Sequence, residues 1–277
     1  MAVAGRMRHM WRRAGGNPVP ADPPGFIIDS FTIAGIDGLT LLVAGITVIT
    51  ASVLRAFSGF GFALAAMPLL VLVVEPANAV VLCAVLALVA ALRSFSRALG
   101  EADRKALKPL LLGSLVGTPL GVYALDILPA QTIELLIGVG VLASAFFLWR
   151  SGARGGGGPH VALPVGFTAG LMGGALGIPG PPVVIYLLRV EANARVARAT
   201  LMMFFNVSCV ISLTGYAVSG NLWQVSPALI AMGVPCLLIG DWLGFYLFDR
   251  FGGTHHRRIS LVVLAFAGAV ALINALG

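Results

Sequence analysis

The chain has 277 residues, of which 58% are apolar and only 10% charged, with a mean hydropathy of +0.97. A soluble domain coats itself in polar side chains and usually charges about a quarter of its residues, so this composition excludes an ordinary soluble domain. The net charge of +7 does not call for nucleic acid, because the eighteen Lys and Arg fall in short connectors or the N-terminal arm, which is the pattern of topogenic charge.

Residues 1–30 read as a flexible basic arm: Arg6, Arg8, Arg12 and Arg13 precede a Pro/Gly-rich stretch, without the apolar core of a cleavable signal peptide. Apolar runs follow at 33–54, 57–74, 76–92, 108–125 and 132–149. A Gly-rich linker occupies 151–160, and further apolar runs lie at 161–178, 179–188, 199–218, 225–248 and 259–276. Residues 161–188 and 199–240 hold no Asp, Glu, Lys or Arg, and about 20 apolar residues suffice to cross the hydrocarbon core. The expected fold is an all-α polytopic membrane protein with roughly 8–10 transmembrane segments, placed in the inner (plasma) membrane. The three cysteines, Cys83, Cys209 and Cys236, sit singly in apolar runs and read as packing residues rather than a disulfide or metal set.

The chain also repeats itself. Residues 117–126 (GTPLGVYALD) align without a gap to 240–249 (GDWLGFYLFD), keeping Gly117, Gly121, Tyr123 and Asp126 in register with Gly240, Gly244, Tyr246 and Asp249. Upstream, Glu75-Pro-Ala-Asn78 resembles Glu191-Ala-Asn193. The reading is two homologous transmembrane halves, 31–150 and 161–277. The connector bearing Arg93, Arg97, Arg104, Lys105 and Lys108 is basic and 128–131 has no base; in the second half, 219–223 has none and Arg250, Arg257 and Arg258 come later. Corresponding loops thus differ in charge, as expected of inverted repeats.

Each half holds a Gly/Pro-rich interruption, 55–70 (RAFSGFGFALAAMPLL) and 173–186 (GGALGIPGPPVVIY). Proline lacks the backbone donor and clashes with the preceding turn, so the run Pro179 to Pro182 should break a helix. Irregular backbone at membrane depth is tolerated only where it is buried or lines a cavity, and paired breaks point to a transporter's binding site. A helix start near Pro68 or Pro182 would aim free N–H groups into the break, which suits an anion. The candidate substrate-binding set is Arg55 for charge, Ser58, Gly59, Gly61, Gly177 and Gly180 for donors, and Asn206. Arg55 also reads as a cytoplasmic turn residue, and Asn206, like Ser208, as a link between helices. Asp241, an intramembrane carboxylate, is the candidate for proton coupling or else a structural partner. Glu75 and Glu191 either pair with Arg189 or Arg195 or stand solvated.

The first break, Gly59-Phe-Gly61-Phe62-Ala63 followed by Pro68, resembles the G-x-G-G-G-x-x-x-x-P motif of the TauE/SafE-type sulfite and organosulfonate exporters, with Phe62 and Ala63 in place of the last two glycines. Residues 177–187 (GIPGPPVVIYL) look like the second-half motif of that family. The resemblance implies transport of a sulfur oxyanion, a sulfonate or a related small organic anion. Alternating access around the two breaks is the expected mechanism, with protons as the coupling ion and the bilayer as the other partner. No cofactor or metal is expected. A passive anion channel or uniporter is the alternative. An intramembrane enzyme lacks a base, since His9, His160, His255 and His256 all lie outside the apolar cores of the runs.

Overall fold

The computed structural model describes residues 32–33, 36–58, 61–92, 95–150, 159–191 and 193–251. The N-terminal arm through residue 30, most of the 151–160 linker and the run 259–276 lie outside them. Two-residue strands, Thr32–Ile33 and Ile36–Asp37, pair antiparallel ahead of an otherwise helical chain. The helices are α1 (Gly38–Ser58), α2 (Phe62–Leu70), α3 (Pro76–Leu92), α4 (Phe95–Glu101) and α5 (Arg104–Ile127). After them come α6 (Ala130–Arg150), α7 (Pro159–Leu176), α8 (Gly180–Val190), α9 (Ala194–Ser219) and α10 (Pro227–Phe251), with a 3₁₀ turn at Asn221–Trp223.

Among the described residues, four stretches are long and apolar enough to cross a bilayer: Gly38–Ala56, Arg104–Ile127, Arg195–Ser219 and Pro227–Leu247. At about 1.5 Å per residue, the 24 residues of α5 cover the hydrocarbon core with a margin. Shorter apolar helices, Pro76–Leu92, Ala130–Ser144 and His160–Leu176, pack among them. The outer faces carry Leu112, Leu115, Leu120, Tyr123, Phe147 and Trp242, all exposed, while Ser114, Thr118, Ser208 and Asp241 are buried. Apolar outside and polar inside is what a lipid solvent selects. The protein is an all-α polytopic membrane protein.

Lipid supplies no hydrophobic drive between helices, so close backbone packing has to hold them together. In α5 the face opposite the leucines reads Gly113, Ser114, Gly117, Thr118 and Gly121, and it lies against Gly166, Gly170 and Gly174 of α7. A Cβ on Gly113, Gly117 or Gly121 would run into the carbonyl oxygens of Leu163, Phe167 and Leu171, respectively. Gly240 and Gly244 of α10 play the same part against α1, where a Cβ would lie 2.6 Å from the Cβ of Ser52 and of Ala56. In both pairs contacts advance in the same direction along the two chains, so α5 runs parallel to α7, and α1 to α10. The turns into α5 and α9 are closed alike: the side chains of Asp103 and Asn193 accept from the backbone N–H of Lys105 and Arg195, at 2.8 and 3.0 Å.

A helix does start near Pro182, as expected, but two of the proline expectations need correcting. Pro68 is not at a helix start but inside α2. The run Pro179 to Pro182 is not all break: α8 already begins at Gly180, and its prolines occupy the first turn, where no intrahelical donor is required.

Candidate functional site

The two interruptions become real chain breaks, and each contains a glycine in the left-handed region: Gly61 at φ +93° and Gly177 at φ +69°. Residues with a Cβ adopt that conformation only at a cost, so the glycines are where each helix can stop and the next begin. Gly61 is the N-terminal flank of α2, with no side chain capping the free N–H groups. The second break is fixed from its other side by Tyr216 on α9. Its buried hydroxyl lies 2.8 Å from the carbonyl oxygen of Gly174 and 3.0 Å from that of Gly173, and donates to this end of α7.

Between the breaks lies a cavity of about 100 Å³, closed laterally by α3 and α9. Five of the expected site residues line it together: Arg55, Gly61, Gly177, Gly180 and Asn206. Ser58 ends α1, with its side chain not described, and Gly59 lies outside the described residues. The rest of the wall includes Phe62, Cys83, Ala84, Phe205, Ser208, Cys209 and Ser212. Cys83 and Cys209, expected as packing residues, therefore also face this space. Room for several waters in a partly polar, partly apolar chamber suits a small solute with one charged end.

Arg55 is the charged side chain among the described lining residues. It projects from the last turn of α1, and its Nη2 lies 2.6 Å from Oδ2 of Asp241 on α10. The side chains are 18% and 1% exposed, so the carboxylate is sealed while the guanidinium keeps contact with the cavity. Asp241 itself is not part of the lining. Asn206 donates one amide N–H to the carbonyl of Met202 at 2.8 Å, which leaves its second N–H, a donor, and its oxygen, an acceptor, at the cavity wall. Behind it, the Ser208 hydroxyl is 3.4 Å from that of Ser114, itself 3.3 Å from Thr118. This buried polar thread leads from the cavity into the α5–α7 seam.

Glu75 and Glu191 follow the solvated reading. Glu75 accepts from the Asn78 side chain at 3.2 Å and Glu191 from the backbone N–H of Asn193 at 2.8 Å, and neither joins an ion pair among the described residues. Sequence reasoning treated Arg55 and Asp241 separately and missed that they are partners. The available signal was that each is an isolated charge in an otherwise neutral run, and such charges usually find one another. Tyr216 was also missed; its sequence context is a plain apolar helix.

The profile of the family described as "Sulfite exporter TauE/SafE" matches residues 43–271, most of the chain. A protein of Cupriavidus necator named "Probable sulfite/organosulfonate exporter TauE" is 26% identical over 181 residues, covering 63% of this chain and 70% of that protein. No solved structure matches. With its profile match spanning both helix breaks and the cavity between them, the chain belongs to the TauE/SafE family of membrane exporters.

Proposed function

We propose that this protein is a secondary transporter of the inner membrane that exports a small anion, sulfite or an organosulfonate, by alternating access around its two helix breaks. The observation that carries the reading is the cavity between the breaks with Arg55 as its cation. A sulfur oxyanion would set its oxygens against the guanidinium, and the glycines at 61, 177 and 180 would let it approach backbone closely. Ser58 and Gly59 remain candidates on sequence grounds. Asn206 would donate its remaining amide N–H to the anion, or accept through its oxygen from a donor-bearing end of the solute. Asp241 would carry the coupling proton.

The two-half organisation, 31–150 and 161–277, is part of the proposal. It is supported by crosswise packing: the first helix of each half lies parallel to a glycine-faced helix of the other, α1 with α10 and α7 with α5. Rocking one half against the other would then move the two breaks relative to each other across the cavity. The name of the Cupriavidus relative supports the substrate class.

The test is flux of sulfite and of a sulfonate in proteoliposomes, with and without an imposed pH gradient. Accumulation that tracks the gradient supports a coupled carrier. Purely dissipative flux would replace it with a channel or uniporter, and no flux of either anion would remove the substrate assignment.

A further inference from the structure

Arg55 faces two ways. It lines the cavity, and it also reaches the sealed carboxylate of Asp241 at 2.6 Å. A committed structural pair of this kind is usually bidentate, using both carboxylate oxygens. Here a single contact is made, and Arg55 Nε and Asp241 Oδ1 are both buried without a hydrogen-bond partner. Among the described residues the neighbourhood offers no replacement. On α1 the nearest polar group is Ser52, whose hydroxyl is also unpartnered. Helix α3, which packs on α10, carries no charge and only Cys83 as a titratable group. On α10 the other such groups are Cys236, more than a turn back, and Tyr246, Asp249 and Arg250, from over one to about two and a half turns on.

We propose that the transported anion takes Arg55 away from Asp241, and that the released carboxylate then binds one proton from solution. The exchange balances. The empty site holds guanidinium and carboxylate, the loaded site holds guanidinium, anion and carboxylic acid, and the net charge is unchanged. Proton uptake follows because a buried carboxylate stripped of the cation beside it is costly, and protonation removes that cost. One proton would therefore travel with each anion by competition for a single guanidinium, without a separate proton path to the substrate. This rests on the anion site proposed above.

The test uses the purified full-length protein in chloride-free buffer with methanesulfonate, which stays ionised throughout and so brings no titration of its own. As pH rises, wild-type affinity should weaken, with a limiting slope of about tenfold per pH unit for one linked proton. Adding methanesulfonate to weakly buffered wild type should take up close to one proton per anion bound. Asp241→Asn should bind at least as tightly as wild type at low pH, with the slope gone; Asp241→Glu should restore the slope, and Arg55→Gln should lose binding. Anion binding without proton uptake, or an unchanged slope in Asp241→Asn, overturns the exchange while leaving the anion site standing. Failure of the wild type to bind either methanesulfonate or sulfite overturns the site itself. The proton-uptake measurement needs no variant, so a misfolded mutant does not shield the proposal.

Discussion

The Arg55–Asp241 pair predicts an asymmetric stability cycle. Arg55→Gln strands a carboxylate that is 1% exposed, while Asp241→Asn strands a guanidinium that is 18% exposed and open to the cavity. Removing one partner of a buried pair costs about 3–5 kcal/mol, and the sealed carboxylate should sit in that range. The guanidinium can be hydrated from the cavity, so its loss of partner should cost less, about 1–2 kcal/mol. The double variant leaves two neutral amides in reach of each other and should return to within about 1 kcal/mol of wild type. Thermal unfolding in nanodiscs reads the cycle: at roughly 2–4 °C per kcal/mol, Arg55→Gln should melt on the order of ten degrees low. Its deficit should narrow at acid pH, as the stranded carboxyl takes up a proton, whereas the double variant should show no such recovery. An Asp241→Asn variant as destabilised as Arg55→Gln, or strictly additive effects, would refute the view that Arg55 is bridged to the cavity while Asp241 is sealed.

Three further outcomes follow from the packing. Gly170→Ala places a Cβ 2.7 Å from the Ser114 backbone and should cost about 1–3 kcal/mol, whereas Gly140→Ala, no closer than 3.7 Å to the end of Met172, should change stability by less than about 1 kcal/mol in the same melting assay. Gly180→Ala meets only Phe205, at 3.6 Å, and should leave the protein folded and transporting, while Gly180→Leu should fill the cavity and abolish sulfonate flux from a protein that still inserts and melts normally. Tyr216→Phe removes the hydroxyl from the Gly173 and Gly174 carbonyls and should cost about 1 kcal/mol, with a larger proportional loss of flux than of stability if that hydroxyl holds the second break in place.

Much of this architecture was legible because lipid leaves so few options. Long uncharged runs can only be helices in a bilayer, and the Gly/Pro-rich segments 55–70 and 173–186 mark where both breaks fall, each at a left-handed glycine. The helix edges around the breaks were less legible. Proline reads the same as a breaker or as a first-turn residue, so the run Pro179 to Pro182 was read as break although α8 already begins within it, as the helix start expected near Pro182 requires, while Pro68 was placed at a start although it lies inside α2. The ion pair was harder to read for a different reason, though each charge stood isolated in its run. Arg55 and Asp241 stand 186 residues apart, and no local period joins them; only the glycine contacts of α1 with α10 bring them level. The same holds for Cys83, Cys209 and Tyr216, whose roles depend on which helix face turns toward the cavity.

That glycine seam also bears on why the charge sits where it does. In the two-half reading, Asp241 follows Gly240 in α10 as Thr118 follows Gly117 in α5. Both side chains are 1% exposed and both lie on glycine-packed seams, so the backbone setting is alike in the two places. The chemistry is not: Thr118 belongs to a neutral hydroxyl thread through Ser114 to Ser208, while Asp241 meets Arg55. A carrier built from two equivalent halves would gain nothing from two competing ion pairs, since one anion can claim only one guanidinium at a time. Confining the pair to one seam would leave the other to slide on glycine and hydroxyl contacts that carry no charge. The charged seam would then sense occupancy and the neutral seam would accommodate the movement. On that argument, introducing a second carboxylate as Thr118→Asp should not add a second coupled proton; it should instead bury an unpaired charge, costing about 3 kcal/mol or more, and lower thermal stability at neutral pH far more than at acid pH.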